Sequence, residues 1–460
     1  LQLPIHFIHC EKEKSDTNSN QVLYCSGWAP ALPPISPHAA AYRAVGADLA
    51  AQSSDMAAKG DFLHGKLDET ESLLRLENYY RDLAYGNSVT LQYYREQNAD
   101  LFDAEQTYHD KTYTLYTDSL SLDYALLSQL VSEYDTVAGY GDFLDSVQTK
   151  AGQLAGISIF QNDETGYDLK NIEVTAAVCA GLGETAIDYY PQKGLYTAIS
   201  YAFTDLILLV SMLVQALLLV RQERDSGLLS LVRSLPGGRL QTALAKLGAF
   251  ALSLLAVLAL LYGVNLAYCA ATFGLGPLTR TIQSVPALMR CTMQITVGQY
   301  LFRFLLAKWA GAFVMGLWVM LAALVAAGPL VMFGIRAAIP ATSRLNVIKY
   351  ANLASLLQTN ELLGNYRNLF WFGSPIGLPL VEWTAAVVYG GVLTFAFCWV
   401  FARATAVCVK ARVPAGAAAQ DARDLVYKEE ARKLLLLNGA ALVLGAAVLA
   451  GVLVLRHFGL

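Results

Sequence analysis

Charge is scarce in this chain: Asp, Glu, Lys and Arg make up 15% of its 460 residues, against about 25% in ordinary soluble domains. With 55% hydrophobic residues alongside, a soluble globular domain is not the expected class. The chain also lacks the short motifs by which many enzymes hold a reactive group. It has no G-x-x-x-x-G-K-[ST] loop, so no triphosphate is held here through that motif. H-E-x-x-H, C-x-x-C and G-x-S-x-G are missing too, which removes common zinc, paired-thiol and serine-nucleophile signatures. His6, His9 and Cys10 are ligand-type residues, but they sit at a ragged start of the chain and no metal site is expected.

The little charge present is unevenly placed. Residues 1–196 hold 28 acidic and 12 basic side chains, a net of -16; residues 197–460 hold 9 and 21, a net of +12. Two environments are implied. In the acidic part, LDETESLLRLENYYRDL and LDYALLSQLVSEYDTVAGYGDFLDSV space Leu, Tyr and Phe as helices do. A mostly helical aqueous domain with an elongated hairpin is expected. It holds 17 of the 25 tyrosines, which suits helix contact faces that are partly wet; packing is the favoured use over a binding platform.

Long apolar runs fill the rest. Residues 197–220 and 248–273 each suffice to cross a bilayer as a helix, at about 1.5 Å per residue. The tract 300–339 is too long for one crossing and reads as two, with a turn or kink at Gly328-Pro329. Residues 381–402 and 434–455 bring the number to six. The expected class is therefore an all-α polytopic membrane protein with about six spans and a large, mostly helical extracytoplasmic domain.

Sidedness follows from Lys and Arg in the short loops. Segment 221–246 carries Arg221, Arg224, Arg233, Arg239 and Lys246, and segment 403–433 carries seven basic residues against four acids. Both are expected in the cytoplasm, with residues 1–196 outside. This topology also puts 340–380 outside, although Arg344, Lys349 and Arg367 there face only Glu361.

Polar residues within the spans are read individually. Asp205 and Glu382 lie within a turn or two of a span end, where interfacial solvation suffices, although intramembrane acids are often functional. Gln215 is expected to bond a neighbouring helix, and Arg303 and Lys308 to snorkel. Cys10, Cys25 and Cys179 fall in the outer domain, where two of them could pair. Cys269, Cys291, Cys398 and Cys408 lie in or near the membrane and are expected to be inert.

Between the first two runs lies RQERDSGLLSLVRSLPGGRLQTALAKL, residues 221–247. Leu228, Leu231, Val232 and Leu235 make one apolar stripe of a helix, and Pro236-Gly237-Gly238 ends it. An interfacial helix lying on anionic lipid is one reading of this pattern. The stretch also resembles the cytoplasmic coupling segment of exporter-type ABC permeases of the bacterial type-2 family. ISIFQNDETGYDLKNIEVTAA at 157–177 and VIKYANLASLLQTNELLGNYRNLFWFGSPI at 347–376 are similar to further parts of such permeases.

The resemblance, over about 130–403, implies a permease subunit in the cell membrane that moves substrate, or its own outer domain, by coupling to a separate ABC ATP-binding subunit. That subunit would bind ATP and Mg; the chain itself needs no cofactor, is not an enzyme, and has no nucleic-acid partner. The resemblance carries over to Glu223, Arg224, Gly227, Pro236, Gly237, Arg239 and Lys246; with Leu228, Leu231, Arg233 and Leu235 of the 228–235 helix they make up the expected interface. The family pattern also implies short helices in 340–380, a cytoplasmic linker at 404–433, and a dimer or pseudo-dimer of permease units in contact with membrane lipid. It implies a first span ahead of LQLPIHFIHC and a second unit beginning at 434–460. A polytopic sensor or scaffold with an extracellular helical domain and no transport activity is the alternative class.

Overall fold

A computed structural model describes residues 39–52, 55–85, 104–157, 166–225, 238–325, 363–364, 366–371 and 374–403, all within the unit Ile35–Leu460. The described chain is mostly helical. Six helices come first: α1 (Ala39–Ala51), α2 (Met56–Ala84), α3 (Glu105–Asp110), α4 (Leu120–Ala138), α5 (Tyr140–Ala155) and α6 (Tyr167–Ala180).

Local chemistry sets their ends. The Asp55 carboxylate accepts the Ala57 amide at 3.2 Å at the start of α2, and Ser119 Oγ accepts the Leu122 amide at 3.4 Å at the start of α4. Lys111 closes α3 in the left-handed region at φ 50°.

Helices α2 and α4 form the expected hairpin, running antiparallel with Gly60 against the Tyr134 ring. Leu63 of α2 and Leu126, Leu130, Val131 and Val137 of α4 make a core with Ala41, Tyr42, Val45 and Leu49 of α1. Tyrosine packs here, as the sequence suggests, and three of its buried rings have bonded hydroxyls. Tyr42 donates to Gln129 Oε1 at 2.9 Å, Tyr134 to the Met56 carbonyl at 2.8 Å, and Tyr189 to the Leu130 carbonyl at 3.0 Å.

The apolar part holds α7 (Lys193–Ser200), α8 (Ala202–Asp225), α9 (Gly238–Thr272), α10 (Val297–Val325) and α11 (Leu378–Arg403). Among the described residues four helical stretches are long and apolar enough to cross a membrane: Lys193–Val220, Leu240–Thr272, Val297–Leu324 and Leu378–Ala402. Six were expected from the sequence. The second half of the 300–339 tract and the run at 434–455 lie outside the described residues.

Side-chain neighbours fix the polarity of these helices. Asp205 meets Lys308, while Met212 lies near Gly316, so α8 and α10 run parallel. Gly390 lies beside Val314 at mid-α10, and α11 starts from residues 367–377, which are bonded to α6 through Asn368, so α11 runs parallel to both. Ser253 meets Gln215 and Lys246 meets Leu219, so α9 runs the other way. Helices α10 and α11 thus both begin at the end where the α1–α6 module sits.

Helix α10 starts earlier than the apolar tract suggests. Thr296 Oγ1 accepts the Gln299 amide at 3.2 Å, and Gln299 Oε1 accepts the Thr296 amide at 3.3 Å, a reciprocal capping box.

Of the 340–380 region, where short helices are implied by resemblance, residues 340–362 lie outside the described residues and 363–364 are helical. Its later part is an antiparallel hairpin of β1 (Asn368–Trp371) and β2 (Ser374–Gly377), with Asn368 opposite Gly377. The Tyr167 hydroxyl of α6 donates to the Asn368 carbonyl at 3.3 Å, and Asn368 Nδ2 donates to Asn171 Oδ1 at 2.8 Å. Docking against α6 supplies partners that an isolated two-stranded hairpin lacks, and the Leu378 amide bonds the Arg367 carbonyl at 2.8 Å, joining the hairpin to α11.

Candidate functional site

Two groups of residues carry the polar chemistry of the described chain. The first is the joint where the α1–α6 module meets the membrane helices. The strap AIDYYPQKG, residues 186–194, enters α7 and is held from both sides. From the module, the Lys59 ammonium pairs with the Asp188 carboxylate and donates to the Tyr189 carbonyl at 3.2 Å. From the loop that follows α9, Ser284 Oγ accepts the Asp188 amide at 3.0 Å, and Thr281 Oγ1 donates to the Ala186 carbonyl at 2.7 Å. The Ala287 amide donates to Gln192 Oε1 at 3.0 Å.

Arg280 sits inside this joint. Its guanidinium donates to the Tyr190 carbonyl at 2.9 Å and lies 5.5 Å from the Tyr190 ring centre. Burial pushes its pKa down to about 10, with Asp188 opposing that shift. The Tyr190 ring lies over a bed of glycines. A Cβ on Gly46 or Gly274 would come within 2.5 to 2.6 Å of its hydroxyl oxygen, and one on Gly276 within 2.5 Å of its ring carbons. Gly274 and Gly276 also adopt φ values of 80° and 68°, which other residues rarely take.

The second group runs across the membrane part between α8 and α9. Asn265 Nδ2 donates to the Ala198 carbonyl at 2.9 Å. That contact lies one turn before Tyr201, whose extended backbone (φ -74°, ψ 95°) separates α7 from α8. The Tyr262 hydroxyl donates to Asp205. Ser253 Oγ donates to Gln215 Oε1 at 2.7 Å, Gln215 Nε2 to Ser211 Oγ at 3.2 Å, and Lys246 Nζ to the Leu219 carbonyl at 3.2 Å. From Lys246 to Asn265 this seam spans roughly 28 Å of helix, close to the thickness of a bilayer core. Gln215 therefore bonds a neighbouring helix as expected.

The structure corrects one expectation here. Lys308 does not snorkel: its side chain is 3% exposed and its ammonium lies 2.7 Å from Asp205 Oδ2. Asp205 stands in the first turn of α8, just after the break at Tyr201. Arg303 turns towards the loop that precedes α10, 3.0 Å from Met293 Sδ. Glu382 lies in the first turns of α11 and is buried. Cys179, Cys269, Cys291 and Cys398 form no disulfide, so Cys179 takes no part in the pairing considered for the outer domain. Among the described residues no group of three or more His, Cys, Asp or Glu could hold a metal ion.

The residues of the implied coupling interface are only partly placed. Glu223 and Arg224 belong to the last turn of α8, and Arg239 to the first turn of α9. These two helices end and begin, on either side of residues 226–237, at the end away from the module. Gly227, Leu228, Leu231, Arg233, Leu235, Pro236 and Gly237 lie outside the described residues. Lys246 is buried between α8 and α9 rather than presented on the loop.

Comparison with protein-family models, curated proteins and solved structures finds no match to this chain.

Proposed function

We propose that the chain is the membrane subunit of an ATP-driven, exporter-type ABC system in the cell membrane, working with a separate ATP-binding subunit. The observation that carries this reading is the 221–247 segment: Glu223-Arg224, an apolar helical stripe from Leu228 to Leu235, Pro236-Gly237-Gly238-Arg239, then Lys246 in the next apolar helix. Helices α8 and α9 bring its two ends to the face opposite the α1–α6 module. On this reading the chain crosses the membrane six times. The segments 221–246 and 403–433 face the cytoplasm, and the acidic module faces out. ATP-driven closure of the partner subunits moves the coupling segment, and α8 carries that movement towards the strap 186–194. The clamped strap favours transmission of force to the outer module, alongside or in place of transport of a substrate between the spans.

The apolar stripe should dominate assembly. A buried Leu contributes about 1.5 to 3 kcal/mol, an exposed ion pair about 0 to 1. Co-expression with ABC-type phosphate-loop ATPases, beginning with any encoded beside its gene, tests this. Leu231→Asp should abolish co-purification, and Glu223→Ala should leave assembly intact while lowering stimulated ATP hydrolysis. Normal assembly of Leu231→Asp together with full activity of Glu223→Ala would overturn the reading in favour of a sensor or scaffold.

A further inference from the structure

We infer that Asp205, Tyr262 and Lys308 form a polar latch that holds α10 against the α8–α9 pair and opens when α10 shifts along it. The inference rests on the reading that the membrane helices rearrange during function. Its basis is the unequal way in which the three helices are joined. Helix α9 is bonded to the α7–α8 segment at four levels, through Asn265, Tyr262, Ser253 and Lys246. Helix α10 is tied to that pair by the Lys308–Asp205 ion pair and by the Trp309 indole, which donates to the Ala251 carbonyl at 3.1 Å. A helix offers the indole an equivalent carbonyl one turn on, so the ion pair is the contact that fixes register. Further along, Gly316 meets Met212 and the Phe250 ring, apolar atoms with no directional bond.

Each partner of the latch has a second resting place. The Lys308 ammonium already lies 5.2 Å from the Phe304 ring centre, and an aromatic face is a favourable surface for a cation removed from water. Tyr262 packs edge-on to that same ring at 5.7 Å. Asp205 stands in the first turn of α8, where free amides and the helix dipole favour a carboxylate, and the Tyr262 hydroxyl remains its donor. Lys308 is almost wholly enclosed whereas Asp205 is 31% exposed, so separation leaves the carboxylate partly solvated and the ammonium against aromatic carbon. Two discrete arrangements, rather than a gradual slide, are what such a contact provides.

The test uses the full chain in lipid nanodiscs, with its seven native cysteines replaced. Spin labels at Leu218→Cys on α8 and Phe302→Cys on α10, both exposed positions, report the position of one helix along the other. The unaltered latch should give one dominant distance, with any second population below about 10%. The double variant Asp205→Asn/Lys308→Met removes both charges together, so it strands neither; it should fold and raise the second population until the two are comparable. The exchanged pair Asp205→Lys/Lys308→Asp should restore the single distance, and serves as the deciding variant if the neutral form does not fold. An unchanged distribution in the neutral variant, or an exchanged pair as heterogeneous as the neutral one, would overturn the latch. No nucleotide or ATPase enters this measurement, so its failure leaves the transporter reading standing, and the loss of that reading leaves this result intact.

Discussion

Gly194 and Gly274 touch backbone to backbone: a Cβ on Gly194 would overlap the Gly274 carbonyl oxygen. The contact joins the start of α7 to the turn that follows α9, beneath the Tyr190 ring, and neither side is a flexible side chain that could move away. Gly194→Ala should therefore lower stability by about 1 to 3 kcal/mol or more. Gly65, on helix α2 with nothing within 4 Å of the place a methyl group would take, is the control. Gly65→Ala should raise stability by about 0.4 to 1 kcal/mol. Thermal unfolding of the two variants in the same detergent checks both signs.

The Lys59–Asp188 pair should respond asymmetrically to loss of either partner. Lys59 is 7% exposed in its side chain and Asp188 34%, so an orphaned carboxylate can be hydrated where an orphaned ammonium cannot. Asp188→Ala is expected to cost about 3 kcal/mol or more, and Lys59→Met clearly less. Equal losses in denaturation midpoint would contradict the burial argument.

Alkaline pH should loosen the module through Tyr42. Burial and the Glu133 carboxylate push its phenol up to about 12 from 10.0. The unfolded chain loses this proton first as pH rises, so the stabilisation is complete below about pH 10 and disappears as pH climbs through about 12. Tyr42→Phe removes that titration together with the bond to Gln129. It should be less stable than the parent at about pH 8, yet lose stability less steeply between about pH 10 and 12, as followed by circular dichroism on heating.

Sidedness is accessible in intact cells. A Ser226→Cys form should be protected from an impermeant maleimide, while Gly65→Cys in the acidic module should react. Labelling at position 226 would place the coupling segment on the wrong face for an ATPase.

The membrane helices were legible in the sequence because lipid leaves an apolar run little choice but to bond its own backbone. Their partners were not. Lys308 reads as a snorkelling residue until α8 brings Asp205 beside it. The break at Tyr201 has neither Pro nor Gly to announce it, and the Asn265 amide that bonds the chain there lies 67 residues away. In contrast, the start of α10 was written locally in Thr296-Val297-Gly298-Gln299 and needed only the capping-box rule. The β1–β2 hairpin escaped notice because its support comes from Tyr167 and Asn171, on a helix about 200 residues earlier. The strap behaves likewise: Tyr190 needs Gly46 on one side and Gly274 and Gly276 on the other, a fit that no local pattern records.

That doubly gripped strap also constrains how such a molecule can be recombined. A transplant of the α1–α6 helices that cuts only at 190 and keeps the host's own turn after α9 would bring Tyr190, Gly46 and Lys59 without the Gly274, Gly276, Ser284 and Thr281 that receive the strap. A working chimera has to move in two pieces, residues 39–194 and 273–296 together, and relatives that exchanged this module over evolutionary time would be expected to have exchanged both stretches at once.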